Sequence, residues 1–407
     1  MMFYGWWIVI ASFFIGLLVS GIIFYGFTAF FEPILREFNW TYTEVSLASS
    51  IRGMEMGILG PLVGYLADRW GSRRILLVGM ATLGLGLILL GQIQSLLAFY
   101  AVMLIIAFGA GGCTSVVTMS VIARWFRRHL GKALAIMSSG FGASGLLLPV
   151  LVHLIDHFGW RGSLTILGVV IWGIGIPLSL SIRENPEAYG YGPDGDKPTV
   201  DPGVRKSKVE PPRIPYFTYL KSPSFLMINL AETFRFMALT SVVVHIMPYL
   251  SQIKIPRDQA GFIAAAIPLV SILGRFLFGW LGDVYQKGRV TAFAFFIMAM
   301  GIGSLTLISH PIFAFSFLLL FPLGFGGLTV LRGTIIAQYY DKRDFGSLIG
   351  IMMGFSALGG IMGPTFTGWI FDHLKDYSYA WLGYTFLLIF STFLIWTGIY
   401  RAQGAQR

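Results

Sequence analysis

The sequence predicts an all-α integral membrane protein, with twelve transmembrane helices in two six-helix, pseudo-symmetric bundles. Three observations predict it. Only 12% of the 407 residues are charged and 56% are hydrophobic, with a mean hydropathy of +0.74. A soluble chain carries roughly 25% charged residues, so a chain this long could not clothe its surface in polar groups. Twelve apolar runs follow one another, each near or above the ~20 residues that cross ~30 Å of hydrocarbon. Finally, landmarks of the first half recur in the second at one fixed offset.

The runs lie at 6–31, 45–66, 75–93, 96–121, 132–155, 162–182, 223–250, 259–281, 290–308, 311–337, 347–371 and 379–400. The first is too long for a signal-peptide core and no small-residue cleavage site follows it, so a retained helix is expected. The second ends in a charged turn, GYLADRWGSRR, Gly64 to Arg74. After the sixth comes RENPEAYGYGPDGDKPTVDPGVRKSKVEPPRIP, rich in Pro, Gly and charge and without apolar period, which reads as a linker. The division expected is therefore residues 1–182 as an N-terminal bundle, 183–221 as a cytoplasmic linker and 222–407 as a C-terminal bundle. The eighth run ends in a second charged turn, GWLGDVYQKGR, Gly279 to Arg289. The 50 Gly and 18 Pro would break soluble helices. In a membrane they permit close helix packing, and neighbouring helices re-satisfy the backbone.

Both turns fit one offset. Gly64 pairs with Gly279 and Asp68 with Asp283 at a spacing of 215 residues, as do Pro33 with Pro248, Gly109 with Gly324, Thr114 with Thr329, Gly131 with Gly346 and Pro149 with Pro364. The halves are thus read as repeats of one six-helix unit in the same orientation, since six is even. Twenty of the 29 Lys and Arg fall on the side of the termini, five on the other (Arg36, Arg161, Lys254, Arg257, Lys375) and four inside runs. The bias places both termini and the turns in the cytoplasm and the chain, multi-pass, in the cell (plasma or inner) membrane. The net charge of +10 is then a topology signal spread over short loops, and no nucleic-acid partner is expected. A single cysteine, Cys113, excludes an intramolecular disulfide and a cysteine-based metal cluster. Neither nucleophile elbow nor phosphate loop is found, and His153 and His157 have only Asp156 beside them, so no enzyme, metal or cofactor is expected.

In the turn, Gly64 lets another helix approach, Asp68 can accept from backbone N–H groups or pair with a base, and Arg69, Arg73 and Arg74 hold the turn on its side. Either a reversible latch or ordinary capping fits these residues. GYLADRWGSRR resembles the loop 2–3 signature of the major facilitator superfamily, G-x-L-a-D-r-x-G-r-r, whose second glycine is Gly71 here; the copy around Asp283 resembles the weaker second-half version. The resemblance implies a transporter that alternates between inward-open and outward-open states, with its first, fourth, seventh and tenth helices lining a central cavity. FYGWWIV (Phe3 to Val9), WFRRHLGKALAIMSSGFGASG (Trp125 to Gly145) and GRFLFG (Gly274 to Gly279) resemble segments of monocarboxylate porters and oxalate:formate antiporter relatives. In that branch the eighth-helix Arg, here Arg275, holds the substrate carboxylate. Ser271 stands where animal porters place an acid, the first helix has no Lys, and Met353 and Phe355 occupy the region of the oxalate exchanger's lysine. Neither classical proton coupling nor oxalate exchange follows from the resemblance.

Six charges fall inside runs: Arg52, Glu55, Glu232, Arg235, Arg275 and Arg332, a surplus of two positive charges. A charge at membrane depth is costly and faces a cavity or a partner. Surplus positive charge favours an anion. Arg52 with Glu55, and Glu232 with Arg235, are three apart and can neutralise each other on one helix face. Arg275 and Arg332 have no acid in their own helix, and lie ~12 Å from the cytoplasmic turns at 1.5 Å per residue. Either suits a two-pronged grip on a carboxylate; for Arg332 the competing expectation is a salt bridge to Glu232. His245 could carry a coupling proton or pack by hydrogen bonding. Tyr25, Thr114, Thr118, Ser138, Ser139 and Ser356 could supply neutral hydrogen bonds to a substrate or bond their own helix. The expectation is a monomeric secondary carrier of a small organic anion, a monocarboxylate by resemblance, working with a coupling proton or a counter-anion; an exporter or exchanger of a dicarboxylate or drug-like solute is the alternative.

Overall fold

The structure is a computed structural model, and it describes residues 3–54, 63, 66, 69–113, 115–126, 129–196, 221–307, 311–339 and 345–404. Long helices dominate it. In the first half these are α1 (Tyr4–Phe38), α2 (Tyr42–Met54), α3 (Ser72–Leu90), α4 (Leu96–Gly112), α5 (Ser115–Trp125) and α6 (Lys132–Ser181). In the second they are α7 (Pro223–Gln252), α8 (Arg257–Val284), α9 (Lys287–Leu305), α10 (Pro311–Tyr339), α11 (Phe345–Leu374) and α12 (Ser378–Gly404).

Ten segments among the described residues are long and apolar enough to cross a membrane. Two of the twelve expected runs account for the difference. At 50 residues α6 would reach ~75 Å, more than two bilayer cores. It holds both the fifth and sixth runs, broken at Gly159, whose φ of 67° lies in the region that side chains disfavour. A Cβ at Gly159 would touch nothing, so backbone conformation rather than space selects glycine there. The described 13 residues of α2 are the first part of the second run, too short to count alone. The fourth run is α4 with α5.

The repeat is visible in the packing. A Cβ added at Gly109 would lie 2.6 Å from Leu83 N, and one added at Gly324 would lie 2.7 Å from Met298 N. Leu83 and Met298 are themselves 215 residues apart. Likewise Gly86 abuts Ile106, and Gly301 abuts Phe321, at the same offset. The α3–α4 crossing is thus rebuilt as the α9–α10 crossing, backbone against backbone, because glycine leaves no side chain between them.

Within each half helices pack in pairs, α3 on α4 and α9 on α10 among them. Across the halves, α2 lies along α11, the first arm of α6 along α8, and the later part of α1 against α7. We call the end that carries residues 69–74 and 285–287 the turn end, and the opposite one the far end. Hydrogen bonds between the halves cluster at the far end. There Asp372 of α11 meets Tyr42 and Thr43, and Arg257 of α8 pairs with Asp156 at 3.3 Å and donates to the Ala29 carbonyl at 2.8 Å.

Candidate functional site

Arg275 sits where the two halves meet. Its neighbour Gly274 lets α8 press on the α10 backbone, a Cβ there falling 2.3 Å from the Leu323 carbonyl oxygen. From α8 the Arg275 guanidinium reaches the other half and donates from Nη1 to the Ser138 carbonyl on α6 at 3.2 Å. Its Nε is buried without a hydrogen-bond partner. Tyr25, buried on α1, is its electrostatic neighbour. No carboxylate among the described residues pairs with it. A half-buried cation held by one carbonyl keeps unmet donor capacity away from bulk water, which an anion could meet.

Arg332 is placed differently. Glu232 on α7 accepts from Arg235 Nε at 2.7 Å and Nη2 at 2.5 Å, a two-pronged pair three residues apart on one helix. Arg332 Nη1 reaches the same carboxylate from α10 at 3.4 Å. Of the two expectations for Arg332, the structure supplies the salt bridge to Glu232. The three groups carry a net charge of +1. Arg235 is 1% exposed, its Nη1 has no hydrogen-bond partner, and its guanidinium carbon stands 4.5 Å over the Phe236 ring.

His245 is wholly buried at the far-end seam. Its Nδ1 lies 2.9 Å from the Tyr377 hydroxyl, and its Nε2 lies 3.0 Å from both the Pro364 carbonyl and Ser46 Oγ. A carbonyl only accepts, so Nε2 carries a proton, and in a neutral ring Nδ1 accepts from Tyr377. These contacts fit the packing role, one of the two expected for it.

The small hydroxyls bond their own helices. Ser139 donates to the Ile136 carbonyl at 2.6 Å, Ser138 to Ala135 at 3.1 Å and Ser356 to Met352 at 2.8 Å. Ser356 is moreover fully buried, whereas Ser138 and Ser139 are half-buried. Thr118 is buried and donates to Met137 Sδ at 3.6 Å. Thr114, Glu55, Gly64 and Asp68 lie outside the described residues, as does the side chain of Arg52. Of the turn, Gly71 takes a φ of 89° just before α3, and a Cβ there would fall 1.9 Å from Glu184 Oε1. Arg69 and Arg74 are exposed, Arg73 is half-buried, and Asp283 is exposed at the end of α8.

Sequence reasoning missed Asp372, Tyr377 and the Arg257–Asp156 bridge. It also missed Tyr384, whose buried hydroxyl joins Ser241 Oγ at 2.9 Å, Thr367 Oγ1 at 2.7 Å and the Gly363 carbonyl at 3.0 Å. Asp372 and Arg257 stand at run ends, where charge is usual, and only the fold brings them to partners.

Membrane-length helices, two rebuilt halves, a charge cluster inside the second and a half-buried arginine at their junction are the features of an α-helical membrane transporter. The chain belongs to the Major Facilitator Superfamily, whose profile matches residues 13–254 and again 226–405. Monocarboxylate transporter 12 of Xenopus laevis is 24% identical over 412 residues, spanning 96% of this chain and 88% of that relative. An uncharacterised MFS-type transporter of Bacillus subtilis, YcxA, is 25% identical over 92% of this chain and 88% of its own. Human monocarboxylate transporter 2 is 24% identical over 93% of this chain and 82% of its own. Among solved structures, a bacterial homologue of the human lysosomal transporter Spinster, inward-facing and occupied, superposes with a TM-score of 0.76 at 15% identity, covering 98% of this chain and 97% of that one. The nucleoside transporter NupG gives 0.74 at 13% identity, covering 98% and 99%. At such identities the structures speak for the fold. The chain is thus a multi-pass membrane transporter of a small molecule and not an enzyme.

Proposed function

We propose that this carrier moves a small organic monocarboxylate by alternating access, with Arg275 as the carboxylate clamp. The observation that carries the reading is the state of Arg275: half-buried at the junction of the halves, held by a single carbonyl, with its buried Nε unpaired. The two monocarboxylate-transporter relatives and the eighth-helix motif support the substrate class. A carboxylate that replaced the Ser138 carbonyl would satisfy two guanidinium donors at once and balance the arginine's charge. Tyr25 stands by as a neutral donor. Thr114, Ser139 and Ser356 are further candidates, with the Ser139 and Ser356 hydroxyls released from their own helices on contact. Glu232, Arg235 and Arg332 form the charge network of the second bundle, joined in this reading by Arg52 and Glu55 in the first.

In the same reading the bundles 1–182 and 222–407 rock against each other, joined by the linker 183–221, and the carrier works as a monomer. The turn end faces the cytoplasm of a cell-membrane protein and the far end faces outside, following the Lys and Arg bias. Gly64, Asp68, Gly71 and the turn arginines, with Asp283 in the second copy, act as a latch, so Asp68→Asn slows exchange more than it weakens binding.

The test is a thermal-shift screen of the purified protein against monocarboxylates, dicarboxylates, amines and sugars. A ligand that binds only the folded state raises its stability by mass action. Stabilisation by a monocarboxylate that disappears in Arg275→Gln is expected. Stabilisation by amines or sugars alone refutes the substrate class, and undiminished carboxylate binding in the mutant refutes the clamp.

A further inference from the structure

The far-end seam between α2 and α11 has a feature that ordinary helix packing does not need. A helix leaves its first four backbone N–H groups without intrahelical partners. In α2 two of them are met locally. Thr41 Oγ1 accepts from Glu44 N at 3.2 Å while Glu44 Oε2 accepts from Thr41 N at 2.8 Å, a reciprocal capping box, and Val45 N donates to the Thr41 carbonyl at 3.2 Å. The remaining two, Tyr42 N and Thr43 N, donate to Asp372, at 3.1 Å to Oδ1 and 2.8 Å to Oδ2. The Thr43 hydroxyl donates to Oδ2 as well, at 2.5 Å. Asp372 belongs to α11, 329 residues away and in the other half. Half of the N-terminal cap of α2 is therefore supplied by the opposite bundle.

Beside the cap the Tyr42 and Phe371 rings pack with centroids 4.3 Å apart, and below it the seam continues at helical spacing through small and polar groups. A Cβ at Gly368 would fall 2.7 Å from both the Tyr42 carbonyl and Ser46 Oγ, so glycine is what lets the two helices close. Ser46 Oγ meets His245 Nε2 at 3.0 Å, and Ser50 Oγ meets Thr365 Oγ1 at 2.8 Å. Positions 42–43, 46 and 50 on α2 thus face 372, 368 and 365 on α11, one turn apart each time. Leucines in such a seam would resist opening, because parting them would expose apolar surface. Each group here can instead exchange its partner for water, at a modest net loss per hydrogen bond.

We propose that Asp372 is the outer gate latch: by capping α2 in trans it favours the outward-closed state, and outward opening begins when this carboxylate leaves the first turn of α2. The negative charge suits the positive end of the α2 dipole, and the divided cap ties the bond to the distance between halves. The proposal rests on the orientation given above only for which side the gate faces.

Ser50, at the bottom of the seam, offers a reporter. With Cys113→Ser as background, Ser50→Cys is labelled with a membrane-impermeant thiol reagent in right-side-out and inside-out vesicles. Asp372→Ala should raise the labelling rate about tenfold, as a cap and charge-assisted bonds worth one to two kcal/mol imply a five- to thirtyfold shift in a two-state equilibrium. Asp372→Asn should give a smaller rise and Asp372→Glu the smallest. Thr41→Ala removes the hydroxyl side of the local capping box, so it should lower the melting temperature yet change labelling less than twofold. Equal labelling in all variants, or an equal rise in Thr41→Ala and Asp372→Ala, overturns the latch. A rise confined to inside-out vesicles keeps the latch and overturns the orientation.

Discussion

Arg275 and Arg332 are both arginines of the second bundle, each eight or nine residues before an aspartate in the sequence and with no acid in its own apolar run. The structure separates them. Arg332 turns into its own bundle and ends on Glu232 at 3.4 Å, whereas Arg275 crosses to the other bundle and ends on a backbone carbonyl at 3.2 Å. A cation paired within one rigid body keeps its partner however the bodies rock. One at the junction, balanced by no carboxylate among the described residues, would change its surroundings in every cycle of the proposed mechanism and be free to take a ligand. The difference teaches that a charge inside a membrane helix is not by itself a candidate for binding; what separates the two arginines is which body holds the partner.

The largest effect should come from breaking the paired side. Glu232 is the only acid that Arg235 and Arg332 contact in the described structure. Glu232→Gln would leave the buried Arg235 and the half-buried Arg332 without a counter-charge, and the loss of one partner from a buried pair costs about 3–5 kcal/mol. Thermal unfolding in detergent, with no ligand present, should register a lower melting temperature, and added carboxylate should not restore it. An unchanged melting point would mean that the cluster is hydrated, and the contrast with Arg275 would collapse.

Next in size is the unpaired side, and here the loss should appear in binding alone. Arg275→Gln should weaken carboxylate binding by about 2–5 kcal/mol, as for truncation of one member of a buried charge pair. Ligand-free stability should hold or rise, because the substitution removes a poorly compensated cation. Titration by thermal shift reads both quantities in one experiment. A mutant that is destabilised yet binds normally would make Arg275 a second Arg332.

Much of the fold was legible because the membrane makes it so. Hydrocarbon forces every backbone group into helices, and length then fixes where they cross. The offset of 215 residues carried the symmetry, and Gly109 and Gly324 keep it down to the contacts they make with Leu83 and Met298. The site was legible in part. Arg275, Glu232 and Arg332 stand out as charges in apolar runs, and the Glu232–Arg332 bridge follows from their matching depth. Asp372 did not stand out, since an aspartate near a run end is ordinary and its partners are two backbone N–H groups, which no sequence pattern displays. His245 was ambiguous for a related reason: its role depends on Pro364, Tyr377 and Ser46, which come from three other places in the chain.

A finer test keeps the charge and removes the geometry at Arg275. Arg275→Lys leaves one compact ammonium in place of a planar fork, so it should retain part of the affinity and lose the two-pronged fit. Binding midway between wild type and Arg275→Gln is expected from the same titration. Full retention would mean that the site reads charge alone.

The smallest effect should be the same exchange at Arg332. Its single 3.4 Å contact to Glu232 Oε1 is long for a charge-assisted bond, whereas Arg235 already grips both oxygens at 2.7 and 2.5 Å. A lysine at position 332 keeps the positive charge near the carboxylate and gives up no two-pronged geometry, because none is present. Its shorter head leaves some volume unfilled beside Phe295 and Leu328, which line the same small cavity. Arg332→Lys should therefore shift ligand-free stability by about 1 kcal/mol or less, within the range of volume-conserving exchanges, and leave carboxylate affinity unchanged. A loss of affinity comparable to that of Arg275→Lys would show that Arg332 lets go of Glu232 to meet the substrate, and the two arginines would then have to be treated as one site.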